Sequence, residues 1–426
     1  MANNEEYLKK IIAFIDDYNL LINCHLVDFI THDLWNKCIS SSLRTQLHKF
    51  QNSNVNIFKN VSENNSHELL NFFDQIDNLS LKNYSGVLNI DNLSTFASLN
   101  DNSWNEIFRN NNSHEFMKDK KKYEISLFTK VIGYLSKLNS SLVIDVGAGK
   151  GYLATSLYQN YKIPVLAIDS CESRHKSALN RQELIKKKTH ESFPLVHHSV
   201  QFIDDTVDYS KLVQKCFKIN DNTINKKDNF LLAGLHTCGS LAVAMIKAFL
   251  NSNCLKSLCV VACCYHLTDE SLTGTLKLSK NSRMLAQQSV DRSIVKKQLS
   301  PSLFYRALLQ VLLKSFDSTH VKIGKGGPLN DFPTYAMWAL NKIGLPENQI
   351  PSLSELTNLY NTHADKEWKL NAFQYLRIHL GSIIEAAIIL DRVVYLERSK
   401  KCSKLSIVRL FNPLLSPRCY AIVALK

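Results

Sequence analysis

The stretch Val143-Ile-Asp145-Val-Gly147-Ala-Gly149-Lys-Gly151-Tyr-Leu153 constrains this chain more than any other. A short apolar strand ends on an acid, a glycine-rich turn follows, and a helical pattern begins. Glycines let a turn take positive φ and pass close to a ligand. Asp145, at the strand tip, can accept an ammonium or a ribose hydroxyl. A phosphate-binding P-loop needs G-x-x-x-x-G-K-[ST], and here Lys150 is followed by Gly151. A dinucleotide loop needs G-x-G-x-x-G, and here the third glycine comes one residue early, with Tyr152 in its place.

The pattern around the loop fixes the fold class. Strands are expected at 142–145, 164–169, 196–203, 230–235 and 258–264. Helical periodicity is expected at 123–138, 152–161, 172–188 and 241–250. Strands alternating with helices predict a parallel sheet covered on both faces. A long amphipathic helix over 367–398 and two strands, 405–411 and 420–425, joined by a Pro-containing turn, predict a closing antiparallel hairpin. The expected fold is therefore α/β and Rossmann-like. Its expected parts are an acidic helical N-terminal domain (1–103), a cofactor-binding core (104–269), a mainly helical insertion (270–365) and the helix-hairpin segment (366–426).

Charge and cysteine usage narrow the class further. The net charge is +13. Residues 1–110 hold 8 Lys/Arg against 13 Asp/Glu, so the positive excess belongs to the rest. A basic body attracts polyanions such as RNA, though lysine-rich soluble surfaces share the same balance. Eleven cysteines form an odd, scattered set without C-x-x-C pairs. That argues against a disulfide framework and for the reduced thiols of cytosol or nucleus. The start lacks a basic segment and an apolar core, so secretion is not expected, and no apolar run reaches the ~20 residues of a membrane span.

An acid before G-x-G-x-G resembles the S-adenosylmethionine loop of class I methyltransferases. In that reading Asp145, Gly147, Gly149 and Gly151 line the cofactor, Asp169 takes the ribose hydroxyls, and Asp204 or Asp205 is the candidate for the adenine amine. Further motifs extend the likeness: Gly234-Leu-His236-Thr-Cys238-Gly239, Cys263-Cys264-Tyr265-His266, Phe304-Tyr-Arg306-Ala-Leu-Leu-Gln310, and Ser416-Pro-Arg418-Cys-Tyr. Together, over residues 104–426, they resemble the methyltransferase-like protein 25 family and its relatives labelled ribosomal RNA adenine dimethylase domain proteins. The His-x-Cys-Gly and Cys-Cys-x-His pair is also similar to a transfer-RNA ribose 2′-O-methyltransferase group. The resemblance implies an S-adenosylmethionine-dependent methyltransferase. RNA or a ribosome-associated substrate is favoured, with a translation-machinery protein or a silent binding role as alternatives. Lys122, with Lys121, matches a paired-lysine stretch of the family and is a candidate for the cofactor carboxylate. Family members commonly carry an acid after the Cys-Gly; here that position is Ser240.

The loops after the fourth and fifth strands should face the methyl group, because ligands of such sheets bind beyond the carboxyl ends of the strands. This makes His236, Cys238, Cys264, Tyr265 and His266 the catalytic candidates. Either histidine can act as general base, since imidazole titrates near neutrality. Tyr265 can stack on a base or orient a nucleophile. Cys238 and Cys264 can act as nucleophiles, as cysteines do in RNA cytosine-5 methyltransferases, although the flanking residues differ. The same cysteines and histidines could form a soft-metal site, but adjacent cysteines rarely share one ion, so no metal is expected. Cys263 reads as core. Arg306 can clamp substrate or pair within the insertion, and Arg418 reads as structural.

Overall fold

The computed structural model describes residues 3–49, 51, 67–97, 116–140, 142–217, 229–295, 300–314 and 326–426. The chain divides into two compact units, one of Met1–Ile12, Ser80–Gln287 and Glu385–Lys426, the other of Ala13–Leu79 and Gln288–Ile384. These borders cut across the expected segments 1–103, 270–365 and 366–426.

Among the described residues, the first unit carries an eight-stranded sheet. In chain order the strands are β1 (Val87–Asn89), β2 (Leu142–Val146), β3 (Val165–Asp169), β4 (Val196–Val200), β5 (Phe230–Cys238), β6 (Leu255–Cys263), β7 (Lys404–Arg409) and β8 (Tyr420–Leu425). Their spatial order is β1-β7-β8-β6-β5-β2-β3-β4. Strands β2 to β6 pair in parallel, while β8 runs antiparallel to both β6 and β7. The expected mixed sheet is present. An added edge strand, β1, runs parallel to β7 within the segment expected to be helical.

Every residue of β2 and β3 is buried, as the near-continuous apolar runs of a doubly covered parallel sheet require. Helices Asp119–Asn139 and Tyr152–Tyr161 cover one face, where Phe128, Val131, Leu135, Leu153 and Leu157 pack on Val143, Val165, Leu231 and Val423. From β2 the chain winds outward through β3 and β4, then returns to β5 and continues through β6. The winding reverses between β2 and β5, and the crevice beyond their carboxyl ends is where such a sheet takes its ligand.

The second unit is helical and packed by aromatic edges. Phe29 meets Phe373 with ring centroids 5.3 Å apart, and Trp35 meets Trp368 at 5.5 Å. The buried Arg377 donates to the Ile22 carbonyl at 2.9 Å. Arg306 is exposed on the helix Ser302–Lys314 of this unit.

Candidate active site

The glycine turn after β2 adopts the left-handed backbone its sequence demands, with φ of 73°, 58° and 66° at Gly147, Gly149 and Gly151. Two of these glycines differ in kind. A Cβ at Gly151 would strike the His198 ring at 2.7 Å, so this glycine serves internal packing. A Cβ at Gly149 would meet nothing within 4 Å, so the backbone there faces open space. Asp169, at the end of β3, steadies the turn. Its Oδ2 accepts from the Gly149 amide at 2.9 Å and its Oδ1 from the Cys171 amide at 2.9 Å.

Asp145 lies buried beneath this turn, and its Oδ2 has no hydrogen-bond partner among the described residues. Burial raises its pKa to about 7, against the pull of Lys121 and with a further push from Asp169. Burying a carboxylate without a partner is costly. A cationic or hydrogen-bond-donating ligand in the crevice would supply what Asp145 lacks. The residues therefore fit the ammonium-bearing end of S-adenosylmethionine: an orphaned carboxylate oxygen beside an open glycine cradle.

Of the paired lysines, Lys121 is the one whose charge acts on Asp145. Burial lowers its pKa, opposed by Glu124 and Asp145. Lys122 instead pairs with Asp119, at 3.7 Å on the same helix. Adjacent helix positions do not face the same way. Asp204 has local partners, accepting from the Thr206 amide at 2.9 Å and its hydroxyl at 2.7 Å.

Across the crevice, His236 near the end of β5 holds an unusual backbone, φ 64°. Its Nε2 lies 3.0 Å from Glu124 Oε1. Glu124 is buried on the helix Asp119–Asn139 and also accepts from the Ser416 hydroxyl at 2.7 Å. Burial alone would raise the Glu124 pKa. The His236 and Ser416 hydrogen bonds, with Lys120, outweigh it and hold the carboxyl at about 2. An ionised carboxylate only accepts, so the proton of a neutral His236 sits on Nε2 and Nδ1 is left basic. Sequence reasoning missed Glu124. The available signal was an acid two residues after a lysine run, in the first turns of the helix leading into β2.

The second loop resolves differently. Tyr265 is 2% exposed, and its hydroxyl donates to Glu385 at 2.8 Å. Arg418 pairs with the same carboxylate and lies 5.5 Å from the Tyr265 ring. The ring expected to stack on a base or orient a nucleophile is buried against Arg392 and Arg418 in this structure. His266 is half-buried, with Nδ1 on the Gln287 side-chain amide. Cys238 is exposed and Cys264 half-buried. Their thiols lie in one cluster with that of the buried Cys263. Ser240 is exposed just before the helix Leu241–Asn251.

The strand order, with the antiparallel strand β8 inserted between β6 and β7, and the acid-glycine turn at its switch point define a class I methyltransferase fold. The sequence model of a family described as "Methyltransferase domain" matches residues 120–271. Probable methyltransferase-like protein 25 of Homo sapiens is 32% identical over 229 residues, covering 48% of this chain and 38% of that one. Its Mus musculus counterpart is likewise 32% identical, with the same coverage. The resemblance to the methyltransferase-like protein 25 family is thus borne out, and the matched stretch spans about two-fifths of those relatives. Among solved structures, the plantazolicin methyltransferase BamL is 18% identical with a TM-score of 0.23, covering 61% of this chain and 90% of that one. The 23S rRNA methyltransferase ErmE is 13% identical with a TM-score of 0.24, covering 62% and 99%. No helix among the described residues is long and apolar enough to cross a membrane.

Proposed function

We infer that the chain is an S-adenosylmethionine-dependent methyltransferase acting on RNA in the cytosol or nucleus. The observation that carries the cofactor is the buried Asp145 carboxylate with an orphaned Oδ2 next to the open Gly149 backbone. Asp145 would hold the cofactor ammonium, Gly147 and Gly149 would let it approach the backbone, and Asp169 would accept from the ribose. Lys121 suits the cofactor carboxylate better than Lys122, and Asp204 is the candidate for the adenine edge. The bound cofactor supplies a methyl group already activated on a sulfonium sulfur.

What remains for the protein is alignment and removal of one proton. His236 is the favoured base, taking the proton that the acceptor hydroxyl or amine sheds onto Nδ1. Glu124 acts behind it as a positioning residue. It fixes the tautomer and stabilises the imidazolium that forms. Cys238, Cys264 and His266 remain candidates at the same mouth.

The RNA assignment rests on the net charge of +13, the exposed lysines at 186–188 and the likeness to RNA-modifying relatives. Its test is transfer of a radiolabelled methyl group from the donor into a total cell extract. Ribonuclease-sensitive label that disappears with His236→Ala supports the reading. Label that survives ribonuclease and yields to protease would make the substrate a protein. Cofactor binding without transfer to either would make this a binding module, to which Ser240 in place of the family acid lends support.

A further inference from the structure

We propose that Cys238, Cys263 and Cys264 form a three-thiolate site for a zinc-class d10 ion, with its fourth position open toward the substrate crevice. The three sulfur atoms lie within 4.8 Å of one another, and the Cys238 and Cys263 sulfurs are 3.2 Å apart. Thiolates bound to one zinc at about 2.3 Å in a tetrahedron stand about 3.8 Å apart. The cluster brackets that spacing, so sub-ångström rotations would close it on an ion.

Two features of the backbone bring the thiols together. Cys238 and Cys263 are register partners on the parallel strands β5 and β6, so their side chains share a face. Successive strand residues point to opposite faces, which would turn Cys264 away. Cys264 is instead in the left-handed conformation, φ 49°, and this break in alternation returns its thiol to the side of Cys263. The objection that adjacent cysteines rarely share an ion is met by that one dihedral.

Soft sulfur donors select zinc over magnesium or calcium. Cys238 is exposed, which gives an ion a path in. Among the described residues no histidine or carboxylate joins the three thiols. Three protein ligands with one free position is the arrangement of a zinc site that binds water or a substrate atom rather than a purely structural one.

The competing fate of two thiols this close is a Cys238–Cys263 disulfide, and one experiment separates the two. The full chain is purified reduced, without added metal, and its zinc is measured by elemental mass spectrometry. The metal-stripped protein is then titrated with Co(II), whose thiolate complexes absorb in the near ultraviolet. The expected result is about one zinc per chain and a saturable Co(II)-thiolate band displaced by zinc. Cys238→Ser, Cys263→Ser and Cys264→Ser should each weaken zinc retention at least about tenfold, and Cys259→Ser should not. Absence of both zinc and the band in folded wild-type protein overturns the proposal, whatever the variants do. So does a band that survives all three substitutions, or loss of two thiols on mild oxidation without any metal uptake. S-adenosylmethionine binding, measured on the same samples, stands or falls separately.

Discussion

Glu124 Oε1 and His236 Nε2 meet at 3.0 Å, joining the helix Asp119–Asn139 to the end of β5. The contact orients the His236 ring, and in the proposed mechanism that ring is the base. Replacing Glu124 by Gln keeps the shape but removes the charge that stabilises the imidazolium. Methyl transfer should fall about 10²-fold, within the range general-base catalysis contributes. Cofactor affinity should stay within about twofold, and the pH-rate profile should shift. A loss confined to cofactor affinity would assign Glu124 a different role.

The same carboxylate has a signature in stability. Its folded pKa, about 2, lies below the ordinary 4.5. Its contribution is therefore fully present above about pH 4.5 and is lost as pH falls toward 2. Glu124→Gln should flatten the acid limb of a thermal-stability profile between those values.

Asp145 behaves in the opposite sense. Its folded pKa is raised from 3.8 to about 7. The ligand-free protein should lose stability as pH rises from about 4 to 7, because only the unfolded chain ionises freely there. Asp145→Asn should remove that slope and stabilise the ligand-free protein near pH 8, by about 1–3 kcal/mol, a tenfold change in proton affinity being about 1.4 kcal/mol. A cationic ligand needs the carboxylate. Cofactor affinity should therefore rise about tenfold per pH unit below pH 7 and level off above it, with proton release in calorimetry. The Asn variant should show neither effect.

Gly149 and Gly151 separate binding from folding. Gly149→Arg meets no neighbour and carries only the strain of its positive φ, so the protein should fold with a modest fall in Tm and fail to bind the cofactor. Gly151→Ala drives a Cβ into His198 at positive φ and should lower Tm by several degrees. Circular dichroism melts beside calorimetry would distinguish the two.

Tyr265→Phe tests the closed ring. It leaves Glu385 with one donor fewer, and losing a buried hydrogen bond to a charged group costs about 1.5–3 kcal/mol. Tm should fall while cofactor binding and methyl transfer per folded molecule remain. A specific loss of transfer would return Tyr265 to the substrate.

The sheet was legible because parallel strands buried on both faces write themselves as short apolar runs, as at Leu142–Val146 and Val165–Asp169. The three-residue β1 is too short for any periodicity, and its partner β7 lies near the other end of the chain. The glycine turn and its acid were equally legible, since positive φ leaves a residue-level mark. Which of two adjacent lysines faces Asp145 depends on a single helical step, and composition is blind to it. The role of Tyr265 depends on Glu385 and Arg418, distant in sequence and joined to it only by the fold. Motif order predicted that the loops after β5 and β6 share one end of the sheet. It did not reveal that Cys264 turns back to meet Cys263.

The central claim is that the Asp145–Gly149 crevice holds S-adenosylmethionine. Calorimetric titration of the reduced, folded protein with that molecule tests it most directly, with Asp145→Ala and Gly149→Arg run alongside. The account predicts micromolar binding by the parent chain and none by either folded variant. No binding by the intact chain, or binding untouched by both substitutions, would contradict it.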